Sequence, residues 1–143
     1  MDSFTLRRAL VLSLAILSAL LQLGCDRGKE APASAGFAEA AVTKLDRARR
    51  ERTLGKLEAL RAALTRYAID HDGAAPEGSS LAGISAELAP RYLPIVEAED
   101  AWGNTMSYAS DGRAYSIVSA GPDGVSGSAD DLTLRDGAVT GGT

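Results

Sequence analysis

The chain has 143 residues, with 15 lysines and arginines against 19 aspartates and glutamates, and a net charge of −4 at pH 7. That mildly acidic balance excludes a general nucleic-acid binder, which needs positive charge to displace counterions from phosphates. One cysteine and one histidine exclude a disulfide framework, and the length allows one small domain.

The start reads as an export segment. Arg7 and Arg8 precede the uncharged apolar run "ALVLSLAILSALL", Ala9 to Leu21, and "QLGC" follows. A run of that length rises about 20 Å as a helix. This is short of the roughly 30 Å core of a bilayer but suits the apolar region of a signal peptide. The small Gly24 immediately before Cys25 resembles a bacterial lipoprotein signal, with Gln22 at the position three before the cysteine where that family usually has leucine. The resemblance implies cleavage before Cys25, diacylation of its thiol and a membrane-tethered product. Asp26 matches the inner-membrane retention signal of enteric lipoproteins, which implies an inner-membrane protein facing the periplasm. A second resemblance competes. "SFTLRRALVLSLAIL" is similar to a type IV prepilin start, with Ser3 in place of the glycine and Arg8 in place of the glutamate. Gly28, Pro32 and Gly36 interrupt any helix that would continue from it. Residues 1–24 are therefore read as the signal peptide and 25–36 as a flexible tether.

A helical pattern runs from Phe37 to about His71. Leu57, Leu60, Leu64 and Tyr67 step by three, four and three residues, one face of a helix. Gly73 is expected as the left-handed residue that ends it. The first half carries Lys44, Arg47, Arg49, Arg50 and Arg52. Two readings stand for these: a solvated face partly neutralised by Asp46 and Glu51, or attraction to anionic lipid head groups.

"SSLAGISAELAPRYLP" holds a short helix around Ile84 to Leu88, ended by Pro90. Strands follow. "TMSYAS" alternates Met106 and Tyr108 with small residues, "DGR" is a hairpin signal, "AYSIVSA" alternates Tyr115 and Ile117 against Ser116 and Val118, and "DLTL" supplies a third strand. "GAVTGGT" reads as a frayed tail. The expected fold is α+β: a long N-terminal helix packed on a small three-stranded antiparallel sheet, with a head over residues 37–136 and a disordered tail over 137–143.

The order of these pieces resembles the major pseudopilin of type II secretion systems. "LEALRAALTRYAIDHDGAAP" is similar to the end of the pilin helix and its acidic-glycine turn. "YLPIVEAEDAWGNTMSY" is similar to the family's Leu-Pro, Asp-Pro-Trp-Gly-Asn turn and first strand. "YSIVSAGPDGVSGSADDL" is similar to its second strand, glycine-rich loop and closing aspartate pair. Ala101 stands where the family has proline. Ala75 stands where an aromatic residue usually precedes Pro76, which implies a less packed corner. Trp102 is expected to roof the core.

The acidic loop between the last two expected strands carries Asp123, Asp130 and Asp131 with no lysine or arginine before Arg135. Like charges gathered in a loop repel unless neutralised, and glycines let a backbone turn its carbonyls toward a hard cation that prefers oxygen ligands. The EF-hand spacing is absent. The resemblance implies one bound calcium ion, Ca2+, with Asp123, Asp130 and Asp131 as acidic ligands and Ala120 contributing its backbone carbonyl.

Enzymatic readings find little support. His71, between Asp70 and Asp72, falls at a helix end where histidine is common. Repeated glycines at 121, 124 and 127 come with acids that would repel a phosphate. The sequence therefore points to a non-enzymatic, membrane-tethered pseudopilin-like protein with a structural role in type II secretion or a related pilus-like machine, partnered by other pseudopilins or secretion-machine proteins. Two alternatives remain open: a true pseudopilin with a degenerate prepilin leader, and a stand-alone periplasmic binding lipoprotein.

Overall fold

The computed structural model describes residues 33–142. The export segment 1–24, Cys25 and the tether positions 26–32 lie outside the described residues. Helix α1, Ala33–Asp70, is followed by strand β1 (Gly78–Ser80), the short helix α2 (Ser85–Leu88), and strands β2 (Ser107–Ser110), β3 (Tyr115–Ser119), β4 (Leu132–Arg135) and β5 (Ala138–Gly141).

The 38 residues of α1 rise about 57 Å. The helix begins upstream of the expected Phe37 and includes Gly36, so the last residues of the expected tether are helical. Its second half buries Thr53, Leu57, Leu60, Ala63 and Leu64, with Leu54 and Tyr67 partly covered. Those positions recur every three to four residues and so form one stripe. Residues 36–45 are exposed throughout.

The helix ends differently from expectation. The Gly73 amide donates to the Ala68 carbonyl at 2.8 Å, a bond spanning five residues, as in a Schellman cap. In that arrangement the left-handed residue is Asp72, at φ 54°, and Gly73, at φ 87°, follows it. Aspartate tolerates that region better than most residues, so the cap moves one residue upstream of the glycine.

The sheet has five strands in the order β1-β2-β3-β4-β5, all neighbours antiparallel. This corrects the expectation of three. The three expected strands are the inner ones, where Met106, Tyr108, Ile117, Leu132 and Leu134 are buried and Ser107 and Ala109 are exposed. The two additional strands lie at the edges. β1 is Gly-Ser-Ser and β5 is Ala-Val-Thr-Gly, both mostly exposed, so neither carries the apolar alternation that marks a half-buried strand.

β5 also replaces the disordered tail expected over 137–143. Its turn is Asp136-Gly137, with φ of 47° and 86°, flanked by the pair Arg135↔Ala138. Two left-handed residues in a two-residue loop make the hairpin turn that Asp-Gly favours.

One core lies between α1 and the sheet. Leu57, Leu60 and Leu64 meet Leu81, Ile84, Leu88, Tyr92, Met106, Tyr108, Ile117, Leu132 and Leu134 in a single buried cluster. Trp102 packs against this cluster while remaining half-buried. The corner after α1 is closed rather than loose: Ala75 and Pro76 are both buried, and the Tyr108 hydroxyl donates to the Pro76 carbonyl at 2.6 Å.

Candidate functional site: a structural carboxylate and an acidic loop

A single buried carboxylate and a carboxylate cluster flank the end of β3. The first is Asp100, which is buried with 4 % exposure. Its Oδ1 accepts the backbone amides of Trp102 (2.9 Å) and Asn104 (2.8 Å), and its Oδ2 accepts the Ser119 hydroxyl (2.7 Å) and, more distantly, the Asn104 side-chain amide (3.5 Å). A buried carboxylate is costly unless hydrogen-bonded, and these donors supply that compensation. They also close the "DAWGN" turn, in which Gly103 takes φ 93°.

α1 braces this turn. The Thr53 hydroxyl donates to the Arg49 carbonyl (3.0 Å) and accepts the Ala101 amide (3.1 Å). The Trp102 indole N–H donates to Asp46 Oδ1 at 3.3 Å. Lys56 donates to the Glu99 carbonyl (2.8 Å) and pairs with Glu97 (2.7 Å).

Asn104 links this turn to the carboxylate cluster. Its side-chain amide donates to the Gly121 carbonyl at 2.8 Å, which pins the start of the acidic loop next to Ala120. Gly121 has φ 62°, and a Cβ there would run into the Asp130 carboxylate, so both backbone angle and space require glycine.

Beyond Gly121 the loop turns its three aspartates toward one hydroxyl. Ser128 Oγ lies 2.5 Å from Asp130 Oδ1, 3.4 Å from Asp123 Oδ1 and 3.4 Å from Asp131 Oδ1. Backbone amides hold the carboxylates in place: Val125 donates to Asp123 Oδ1 (2.8 Å), Gly127 to Asp131 Oδ2 (2.7 Å), and Asp123 to Asp130 Oδ2 (3.4 Å). The Ser128 hydroxyl bond is the main reason the Asp130 carboxyl is held below its usual range. A hydroxyl has one proton to give, and the bond to Asp130 is the short one.

Asp123, Asp130 and Asp131 are thus brought into one loop around Ser128, and Ala120 lies between Ser119 of β3 and the pinned Gly121. Among the described residues, no group of three or more His, Cys, Asp or Glu side chains is arranged to hold a metal ion; the side chain between the aspartates is the Ser128 hydroxyl. Cys25 lies outside the described residues. Sequence reasoning missed two residues of this region. Ser128 had a usable signal, since it sits among the three aspartates. Asp100 lies in "DAWGN", where its neighbours in sequence signal only a turn.

His71 is exposed at the end of α1. Its ring stacks on Tyr67 with centroids 3.8 Å apart, and Nδ1 lies 2.8 Å from the Tyr67 carbonyl. That is a helix-terminal contact, and it brings His71 to none of the three aspartates.

A long helix laid across an antiparallel meander, with a glycine-rich acidic loop between its third and fourth strands, is the plan of a pilin-like head. The sequence profile of the type II secretion system (T2SS), protein G, matches residues 40–134, and the chain belongs to that family, the major pseudopilins. Membership makes it a pseudopilin of type II secretion, in a family that is structural rather than enzymatic and whose members are exported and membrane-associated. No curated protein and no solved structure matches the chain.

Proposed function

We propose that the chain is a pseudopilin head held at the membrane by a lipid on Cys25 and stabilised by one calcium ion in the loop of Asp123, Asp130 and Asp131, with the Ala120 carbonyl as a further ligand. Its role is mechanical: a folded head contributing to a secretion machine, with no chemical step of its own. The observation that carries the calcium reading is the convergence of three carboxylates on Ser128 Oγ. The donor set is hard oxygen, carboxylate, hydroxyl and carbonyl, which suits calcium. A bound calcium would supply the positive charge that the loop's own residues do not. Gly121 supports the fit, because a side chain there would fill the space against Asp130.

Thermal unfolding in chelator, in millimolar calcium and in millimolar magnesium tests the site. Calcium raises the midpoint, and magnesium does so weakly because it demands a tight octahedron and keeps its waters. Identical curves in chelator and calcium would remove the ion from the account. For the tether, Cys25→Ser abolishes acyl labelling and mass; a wild-type chain without an acyl mass rejects the lipid.

One observation favours the second reading, a pseudopilin with a degenerate leader. α1 begins at Ala33 and passes through Gly36, so the helix extends further toward the N-terminus than a tether ending at residue 36 allows. Cleavage after Ser3 by a prepilin peptidase, with no acylation, would decide for that reading.

A further inference from the structure

The outer face of α1 carries a concentration of positive charge that the secretion role and the calcium loop leave unused. Residues 44–52 hold five basic and two acidic side chains, net +3, against net −4 for the whole chain, so the remainder carries −7. The structure sorts these charges by face. Arg50 donates to the Gly141 carbonyl at 3.1 Å, and Arg49 lies 3.7 Å from Asp46. Asp46 also accepts the Trp102 indole, so its charge is turned toward the head. Lys44, Arg47 and Arg52 are exposed, and no ion pair with them is found among the described residues.

At about 100° per residue, Lys44, Ala48, Arg52 and Leu45 fall within an arc of about 100° that faces away from the buried Leu57, with Leu45 at the edge nearer Thr53 and Arg47 about 60° beyond Lys44 on the other side. Leu45 is half exposed, at 50 %. A strip of cations around an exposed leucine is the composition of a helix face that rests on a lipid surface: the apolar group enters the head-group boundary while the cations meet phosphates. Glu51 beside Lys44 and Arg47 moderates the attraction without cancelling it.

We infer that this face, Lys44, Leu45 and Arg52 with Arg47 flanking it, docks on an anionic lipid bilayer surface. The inference rests on the membrane placement proposed above and adds a contact to it. Eight residue steps separate Cys25 from Ala33, a reach of at most about 28 Å in extended chain, so a lipid on Cys25 keeps the strip within range of the surface. Each basic residue near such a surface strengthens its hold about fivefold. Three acting together exceed a tenfold effect even if their contributions are incomplete.

The test uses the full chain in vesicles of phosphatidylcholine alone or mixed equally with phosphatidylglycerol. Trypsin cleavage after Arg52 is timed at low salt and in about 0.5 M salt, where screening shrinks to a few ångströms. The expected result is cleavage roughly tenfold slower on the anionic vesicles at low salt, with the difference erased by salt. It is also lost in Lys44→Glu/Arg47→Glu, which keeps Arg52 as the cleavage site. Equal rates on both vesicles overturn the inference and leave the strip as a solvated face or a site for an acidic protein. Flotation of the same samples separates the two readings. A chain absent from neutral vesicles sinks the lipid tether, while retention at low salt on anionic vesicles alone supports the charged face independently.

Discussion

Asp100 and the Asp123–Asp130–Asp131 cluster are joined through Asn104, yet they solve opposite problems. Asp100 is a single buried carboxylate surrounded by the amides of Trp102 and Asn104, the Asn104 side chain and the Ser119 hydroxyl. The loop gathers three carboxylates around one serine hydroxyl, with Asp123 exposed and Asp130 and Asp131 half-buried. A carboxylate with a complete set of donors is a fastener. Three that share one hydroxyl proton, each accepting one backbone amide besides and none meeting a lysine or arginine within the loop, are a cluster short of positive charge. The difference teaches that acid content alone does not mark a cation site, because the supply of donors around each acid decides what the acid can do.

The largest effect should come from the fastener. Asp100→Ala leaves the Trp102 and Asn104 amides and the Ser119 hydroxyl without their acceptor and frees the loop's pinned end. Stranded buried donors cost about 1 to 3 kcal/mol each, and partial access to water limits the sum, so a loss of about 3 to 5 kcal/mol is expected. Denaturant unfolding should give the same loss with and without calcium. A loss that calcium reverses would mean that Asp100 belongs to the ion site.

Next in size is the core between α1 and the sheet. Leu64→Ala removes a side chain that is 1 % exposed and should cost about 2 to 4 kcal/mol through lost transfer energy and the cavity left behind. An unchanged thermal midpoint would show that the α1 stripe does not bear on the sheet.

The loop should respond only when its missing charge is supplied. Calcium at one hundred times its Kd stabilises a protein by about 2.7 kcal/mol. Asp123→Ala should abolish most of that gain while leaving stability in chelator nearly unchanged, since relieved repulsion offsets the loss of the exposed bond from the Val125 amide. Parallel calcium titrations of wild type and variant, followed by thermal midpoint, read this directly.

The smallest effect is a pH dependence. The Ser128 hydroxyl holds the Asp130 carboxyl below its ordinary range. A carboxyl whose folded pKa is depressed contributes stability above its unfolded value, near 3.9, and loses that contribution as pH falls through the lower folded value. Ser128→Ala should move the Asp130 titration upward and flatten the acid side of the stability curve below about pH 4. NMR titration of the Asp130 carboxyl carbon measures the shift, and an unmoved titration would assign the depression to the backbone amides instead.

Much of this protein was legible in its residues. The stripe Leu57–Leu60–Leu64–Tyr67, the alternation around Met106, Tyr108 and Ile117, and the three clustered aspartates were visible because periodicity and charge are local properties of a chain. They led to an α+β plan and to a loop that needs explaining, while the resemblance of the quoted stretches to the major pseudopilins implied the family. What the tertiary structure decided was everything that depends on a neighbour distant in sequence. β1 and β5 are strands because β2 and β4 offer them a ladder, not because "GSS" or "AVTG" favours extension. Asp100 was ordinary in the sequence and became a buried fastener only when Ser119 arrived opposite it. Hydrogen bonds across 19 residues of separation leave no local signature, since neither partner alone records the group that will satisfy it.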